Sequence, residues 1–275
     1  MNYKLVCIDM DGTLLNNRHQ VTDLNRKALK EAVEGGVKIA ITTGRLYTSA
    51  SLYAEMIGVK VAVISSNGTY IREKGEGKCI YKHPMNRDEF SRVCDIIEKY
   101  DVRTNFNTYN KLIGREHPPV NNAYMISNKT APEHLKVGVA VHKNIREAYD
   151  IYEGEILKAI MFPQGPEMIE KIKKELIEMG GLEVVSSGPD NIEIMAEGTS
   201  KGSGVKAFSE ILGVDKKEII CIGDHENDIS MVTYAGLGIA MGNAVDSLKK
   251  VADYVTDDNE NSGVGKAINK FILNK

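Results

Sequence analysis

Short apolar runs alternate along this chain with stretches in which apolar residues recur every three or four positions, and the order of the two textures predicts the elements. Leu5-Val6-Cys7-Ile8 is apolar without alternation, as in a strand buried on both faces. After the polar stretch Asn16-Asn17-Arg18-His19, Thr22 is placed to cap a helix that carries Leu24, Ala28, Leu29, Ala32 and Val33 and stops at Gly35-Gly36. A second strand follows from Val37 to Ile41, a helix from Leu46 to Ile57, and a third strand from Val61 to Ser65. This βαβαβ order predicts an α/β fold built on a doubly wound parallel sheet, in which ligands bind at the carboxyl ends of the strands.

The pattern returns near the C-terminus. Glu218 to Ile222 reads as a buried strand, Glu226 to Tyr234 as a helix, Leu237 to Ala240 as a strand and Ala244 to Val251 as a helix. The parallel core is therefore discontinuous, formed by residues 1–83 and 194–275. Between them, residues 84–193 have a different texture. Helices are predicted at Arg87 to Tyr100 and Pro166 to Met179, and strands near Thr104 to Tyr109, Leu157 to Phe162, Leu182 to Ser186 and Asn191 to Met195. That order suggests an inserted α+β domain with an antiparallel sheet.

Composition narrows the partners. The 275 residues are 42% hydrophobic and 27% charged, with a formal net charge of -3, and the basic residues are scattered rather than gathered into a stripe. This argues against nucleic acid as a partner. No segment approaches the ~20 apolar residues that span a bilayer, so the expected partner is a small anionic molecule, not a membrane, and the expected location is the cytoplasm. Oligomeric state is not readable. Cys7, Cys79, Cys94 and Cys221 lack C-x-x-C spacing and read as reduced, mostly buried thiols rather than zinc ligands or a disulfide framework.

The chemistry gathers at the predicted strand ends. Asp9 and Asp11 stand two residues apart where the first strand meets Gly12-Thr13, and strand alternation sends both to one side. An apolar strand has no structural use for two neighbouring acids, whereas a divalent cation and a reacting group would compensate their desolvation. Thr43 and Gly44 end the second strand and offer a hydroxyl and an accessible backbone amide to an anion. Lys201 follows Thr199-Ser200, either of which can cap the next helix, so its ammonium is either part of an anion site or a solvated helix-start lysine. Past the Glu218 to Ile222 strand, Gly223-Asp224-His225-Glu226-Asn227-Asp228 crowds carboxylates and an amide into a few residues. Such oxygen-rich clusters suit Mg²⁺, and one histidine is too little for zinc.

Asp9-x-Asp11-Gly12-Thr13, Thr43-Gly44-Arg45, Lys201 and Gly223-Asp224-x-x-Asn227-Asp228-x-x-Met231 resemble, in order, the four motifs of the haloacid dehalogenase-like (HAD) hydrolases. The insertion after the second motif is similar to that of their Cof-type sugar phosphatases. The resemblance implies a Rossmann-like core with an inserted cap, Asp9 as nucleophile and Asp11 as general acid/base. Mg²⁺ would be held by the carboxylates of Asp9 and Asp224 and the backbone carbonyl of Asp11, with Asp228 supporting its water shell. The Met10 backbone, Thr43, Gly44, Lys201 and Asn227 would hold the phosphate, with Arg45 and Asn67 nearby. The implied activity is hydrolysis of a small phosphorylated metabolite. A phosphomutase shares this chemistry, and a module that merely stores a phosphoryl group on Asp9 is the alternative from another class.

Overall fold

The computed structural model describes residues 3–73 and 78–275. Eight strands form the larger sheet: β1 (Leu5–Asp9), β2 (Lys38–Thr42), β3 (Ala62–Ser65), β4 (Tyr70–Glu73) and β5 (Cys79–Lys82) from the first part of the chain, and β12 (Ile219–Gly223), β13 (Leu237–Ala240) and β14 (Tyr254–Val255) from the last. Their spatial order is β14-β13-β12-β1-β2-β3-β4-β5. All pairings from β14 to β3 are parallel, and β4 and β5 close the edge as antiparallel strands. Every residue of β1 and β12 is buried, as expected for central strands covered on both faces.

The chain leaves β1 toward β2 on one side and returns through β12 on the other. That reversal makes β1 the topological switch point, where the strand ends open a crevice for ligand. Asp9 is the last residue of β1.

A second, six-stranded sheet is inserted between β5 and β12. It comprises β6 (Arg103–Asn107), β7 (Lys111–Gly114), β8 (Gly138–Val141), β9 (Lys158–Phe162), β10 (Leu182–Val185) and β11 (Ile192–Ala196), in the order β10-β11-β9-β6-β7-β8. All its pairings are antiparallel except β7 with β8. Helices Arg87–Tyr100 and Pro166–Met179 accompany this sheet, around a separate core that includes Phe90, Phe106, Met161 and Ile172.

Local chemistry explains the element ends. Thr22 caps helix Asp23–Glu34 through Asn25 N–H, and Ser200, rather than Thr199, caps helix Lys201–Leu212 through Ser203 N–H. Asp228 ends a short 3₁₀ turn, so the helix expected from Glu226 begins only at Ile229. Strands β4, β5, β7, β8 and β14 and the C-terminal helix Gly263–Phe271 add to the elements expected from the hydrophobic pattern. All four cysteines are free, and Cys79 alone among them is exposed. Among the described residues, no helix is long and apolar enough to cross a membrane.

One turn fixes how the helix bearing Lys201 meets the sheet. Ser66, Asn67 and Gly68 follow β3 with positive φ angles of 49°, 56° and 100°. A Cβ on Gly68 would lie 2.2 Å from the Ser200 carbonyl oxygen and 3.1 Å from Gly204 N, so only glycine lets the helix start dock here. Gly68→Ala combines that overlap with an unfavourable φ, and stability should fall by more than ~1 kcal/mol, read as a lower urea midpoint at unchanged slope.

Candidate active site

The strand ends of the core and the facing side of the inserted sheet enclose a cleft of about 630 Å³. Its floor includes Asp9, Asp11, Thr43, Lys201, Asp224 and Asn227, and its roof includes Arg103, Tyr124, Lys158, Ser187, Asn191 and Glu193.

Lys201 is the centre of the floor. Its side chain is 2% exposed, and its ammonium donates to Asp9 Oδ1 at 2.5 Å and to Asp228 Oδ1 at 2.6 Å. This excludes the solvated helix-start lysine. Burial alone would push the ammonium toward deprotonation, but Asp228 and Asp9 outweigh it and hold the group above its ordinary range. The other oxygen of Asp228 accepts from the backbone N–H groups of Asp224 and His225 at 2.9 and 3.0 Å. Asp228 therefore braces both Lys201 and the loop that carries Asp224.

Asp224 is held by Thr13, whose hydroxyl donates to Oδ1 at 2.6 Å. Gly12 makes this approach feasible, because at its φ of 80° a Cβ would sit 2.4 Å from Asp224 Oδ2. Carboxylate oxygens of Asp9, Asp224 and Asp228 lie within 4.8 Å of one another. Burial pushes the Asp9 carboxyl well up, with the Asp228 and Asp224 charges adding to it and Lys201 opposing. Burial also raises Asp224, against the hydrogen bond from Thr13. Two carboxyls held above their usual range by burial and by the Asp228 charge mark a place short of positive charge. With hard oxygen donors from the end of β1 and the segment after β12 converging there, the residues fit a divalent cation such as Mg²⁺.

Asp11 lies away from that cluster. Its two oxygens accept from Arg45 Nε and Nη2 at 2.8 and 2.6 Å, and the Arg45 guanidinium stacks over Tyr53 at 4.5 Å. Thr43 accepts from Arg45 N–H through its hydroxyl, and its carbonyl accepts from Asn67 N–H at 3.0 Å. Met10 points its side chain into the core at 1% exposure, which leaves only its backbone to the cleft side. Asn67 reaches Asn227, Nδ2 of the latter donating to Oδ1 of the former at 3.4 Å.

The roof contributes two groups that the motif pattern passes over. Lys158 and Glu193 form an ion pair at 2.9 Å with side chains 1% and 4% exposed, and both reach down to the floor. Lys158 donates to the Gly44 carbonyl at 2.5 Å, and Glu193 accepts from Asn67 Nδ2 at 2.5 Å. The signal was present: each is a charge within an apolar strand, Leu157-Lys158-Ala159 and Ile192-Glu193-Ile194. Tyr124 also bridges roof and floor, accepting from Leu46 N–H at 3.4 Å. His225, discounted as a zinc ligand, lines the cleft with a buried Nδ1 that has no partner among the described residues.

Fold and cleft together define the class: a hydrolase with a Rossmann-like parallel core and an inserted cap. The chain belongs to the haloacid dehalogenase-like hydrolase family, whose model matches residues 6–268. It is 34% identical over 99% of its length, and 97% of the relative's, to the 5-amino-6-(5-phospho-D-ribitylamino)uracil phosphatase YcsE of Bacillus subtilis strain 168. Among solved structures, a haloacid dehalogenase-like hydrolase from B. subtilis superposes with a TM-score of 0.85 at 28% identity, over 98% of this chain and 100% of that one. A HAD subclass IIB sugar phosphatase superposes with a TM-score of 0.77 at 27% identity, over 98% of each chain.

Removing the central ammonium leaves two buried carboxylates uncompensated, which typically costs about 3–5 kcal/mol. Lys201→Met should therefore lose stability on that scale in urea denaturation with chelator present, unlike a substitution at an exposed helix start.

Proposed function

We propose that this phosphatase hydrolyses a small phosphorylated metabolite, a sugar phosphate or similar phosphomonoester, through an aspartyl phosphate on Asp9 with Mg²⁺ as cofactor. The observation that carries the reading is the convergence of Asp9, Lys201, Asp228 and Asp224 at the floor of a cleft that also contains Asp11. The cleft volume of about 630 Å³ is in the range of small-molecule sites. A phosphorylated ribityl compound in the name of one relative and a sugar phosphatase among the solved structures support a polyol or sugar phosphate as the class of substrate.

In this reading Asp9 attacks phosphorus and splits the hydrolysis into two easier displacements. Lys201 faces the developing charge on the phosphoryl oxygens, and its salt bridge to Asp9 keeps the nucleophile in place. Thr43, the backbone of Met10 and Gly44, and Asn227 hold the remaining oxygens, with Arg45 and Asn67 setting the turn that carries them. Asp11 protonates the departing alkoxide and then takes a proton from the water that cleaves the acyl phosphate. Its bidentate contact with Arg45 holds it at the mouth of the site until substrate enters. The carboxylates of Asp9 and Asp224 and the carbonyl of Asp11 would hold Mg²⁺, with Asp228 supporting its waters. When bound, the ion neutralises charge on the phosphoryl group and on the acidic floor. The inserted segment, taken as residues 84–193, serves as the cap and contacts the part of the substrate beyond the phosphate.

A phosphate-release screen over phosphorylated metabolites with Mg²⁺ tests the activity, and Asp9→Asn should abolish it. Asp11→Asn removes two proton transfers, each typically worth on the order of 10²- to 10⁴-fold. An aryl phosphate needs little help in leaving, so on such an ester this variant should accumulate phosphorylated Asp9, seen by mass spectrometry as a gain of about 80 Da, one HPO₃ group, expected for covalent catalysis. A long-lived phosphoryl group on the unmodified protein, indifferent to Asp11→Asn, would instead favour the storage module.

Asp224→Ala takes away a carboxylate from a hard cation that has few. Calorimetric titration should show Mg²⁺ binding strongly weakened, and an unchanged isotherm would remove Asp224 from the metal site.

A further inference from the structure

We propose that Lys158 and Glu193 are positioning residues: from the inserted sheet they orient the Thr43-Gly44 turn and the Asn67 amide of the core, so that a competent phosphate site exists only with the cap seated. This rests on the phosphatase reading above.

The pair is hard to explain as a stabilising device. Burying both charges costs much of what their attraction returns, and apolar residues at such positions commonly serve stability as well or better. What sets this pair apart is where each member places its other hydrogen bond. Lys158 opens β9 and Glu193 lies in the neighbouring strand β11, yet each reaches out of the cap to the core.

The first arm acts on one peptide group. The Gly44 carbonyl, which accepts from Lys158, and the Arg45 N–H, which donates to the Thr43 hydroxyl at 3.1 Å, belong to the same planar Gly44-Arg45 peptide. Fixing its oxygen therefore fixes the direction of its N–H. A hydroxyl that accepts from that N–H keeps its own proton to donate elsewhere, and Thr43 lines the cleft.

The second arm acts on an amide whose two ends are otherwise interchangeable. Glu193 accepts from Asn67 Nδ2, which leaves Asn67 Oδ1 as the end that meets Asn227 Nδ2. Ser187 donates to Glu193 Oε1 at 2.8 Å and steadies the carboxylate. The first arm thus ends on Gly44, assigned to the phosphate, and the second on Asn67, which meets another such residue, Asn227, so neither Lys158 nor Glu193 needs to touch the substrate to affect it.

The test uses inorganic phosphate, which has no leaving group for the cap to recognise. Phosphate binding to the full-length, Mg²⁺-loaded protein is measured by calorimetry, with kcat and KM for an active ester alongside. Lys158→Met combined with Glu193→Met removes both charges and both hydrogen bonds to the core together, so no buried charge is stranded, and cooperative urea unfolding verifies the fold. Phosphate affinity is expected to fall about tenfold or more, the scale on which a lost hydrogen bond to a charged group is felt, with kcat falling as well. Phosphate affinity within twofold of the unmodified protein, with only the ester's KM raised, overturns the proposal and makes the pair a contact for the leaving group. Should the double variant lose cooperative unfolding, Glu193→Asp keeps a carboxylate for Lys158, so no charge is stranded, but shortens the side chain by one methylene and draws its oxygens back from Asn67, which tests that arm. A several-fold loss of phosphate affinity supports the proposal and an unchanged isotherm overturns it. Absence of phosphate release by the unmodified protein would sink the phosphatase reading separately, since the phosphate isotherm does not depend on turnover.

Discussion

Two carboxylates buried side by side, Asp9 at the end of β1 and Asp228 past β12, are tolerable only beside a buried cation, and Lys201 supplies it. Its ammonium lies between Asp9 and Asp228, and much of the surrounding geometry follows from having to deliver it there. The helix that begins at Lys201 must start against the core, so the turn after β3 takes left-handed angles and places Gly68 under the Ser200 carbonyl. Asp228 must face the ammonium with one oxygen while the other secures two backbone amides, which halts the local helix for a 3₁₀ turn and delays it to Ile229. With these groups in place, Asp224 meets Thr13 across Gly12.

Much of this was legible in the chain. Asp9, Asp11, Asp224 and Asp228 stand out because a charge at the end of an apolar strand needs a compensating reason, and the βαβαβ order brings those strand ends to one edge. The burial of Lys201 was not legible, since its partners are 192 and 27 residues away and a helix-start lysine has no local feature that separates a solvated from an enclosed ammonium. Strands β4 and β5 carry mixed polar sequences such as Tyr70-Ile71-Arg72-Glu73 and Cys79-Ile80-Tyr81-Lys82, fitting an antiparallel edge more than a buried centre. β7 (Lys111-Leu112-Ile113-Gly114) and β8 (Gly138-Val139-Ala140-Val141) have only two or three consecutive apolar residues beside a glycine, which does not by itself mark a strand. Lys158 and Glu193 obeyed the same rule that exposed Asp9, a charge inside an apolar strand, but they belong to no recognised motif and their target, a backbone carbonyl, has no sequence signature.

The two sheets divide the work unequally. The parallel sheet gathers its polar groups at and just past its strand ends, Asp9 as the last residue of β1 and Asp224 just after β12. The inserted sheet instead offers side chains from within its strands, held at fixed spacing by the ladder between β9 and β11.

The cap-to-core ion pair bears on how such proteins can be assembled from parts. An inserted domain is often regarded as a detachable module, exchanged between relatives to obtain new specificity. Here the insert also carries hydrogen-bond partners for the Gly44 carbonyl and the Asn67 amide. A foreign insert without an equivalent lysine and glutamate would leave the Gly44 carbonyl and the Asn67 amide without these partners and free to turn. Recombination is then restricted to inserts that bring the matching pair, which makes Lys158 and Glu193 a compatibility key between two halves that otherwise have separate cores.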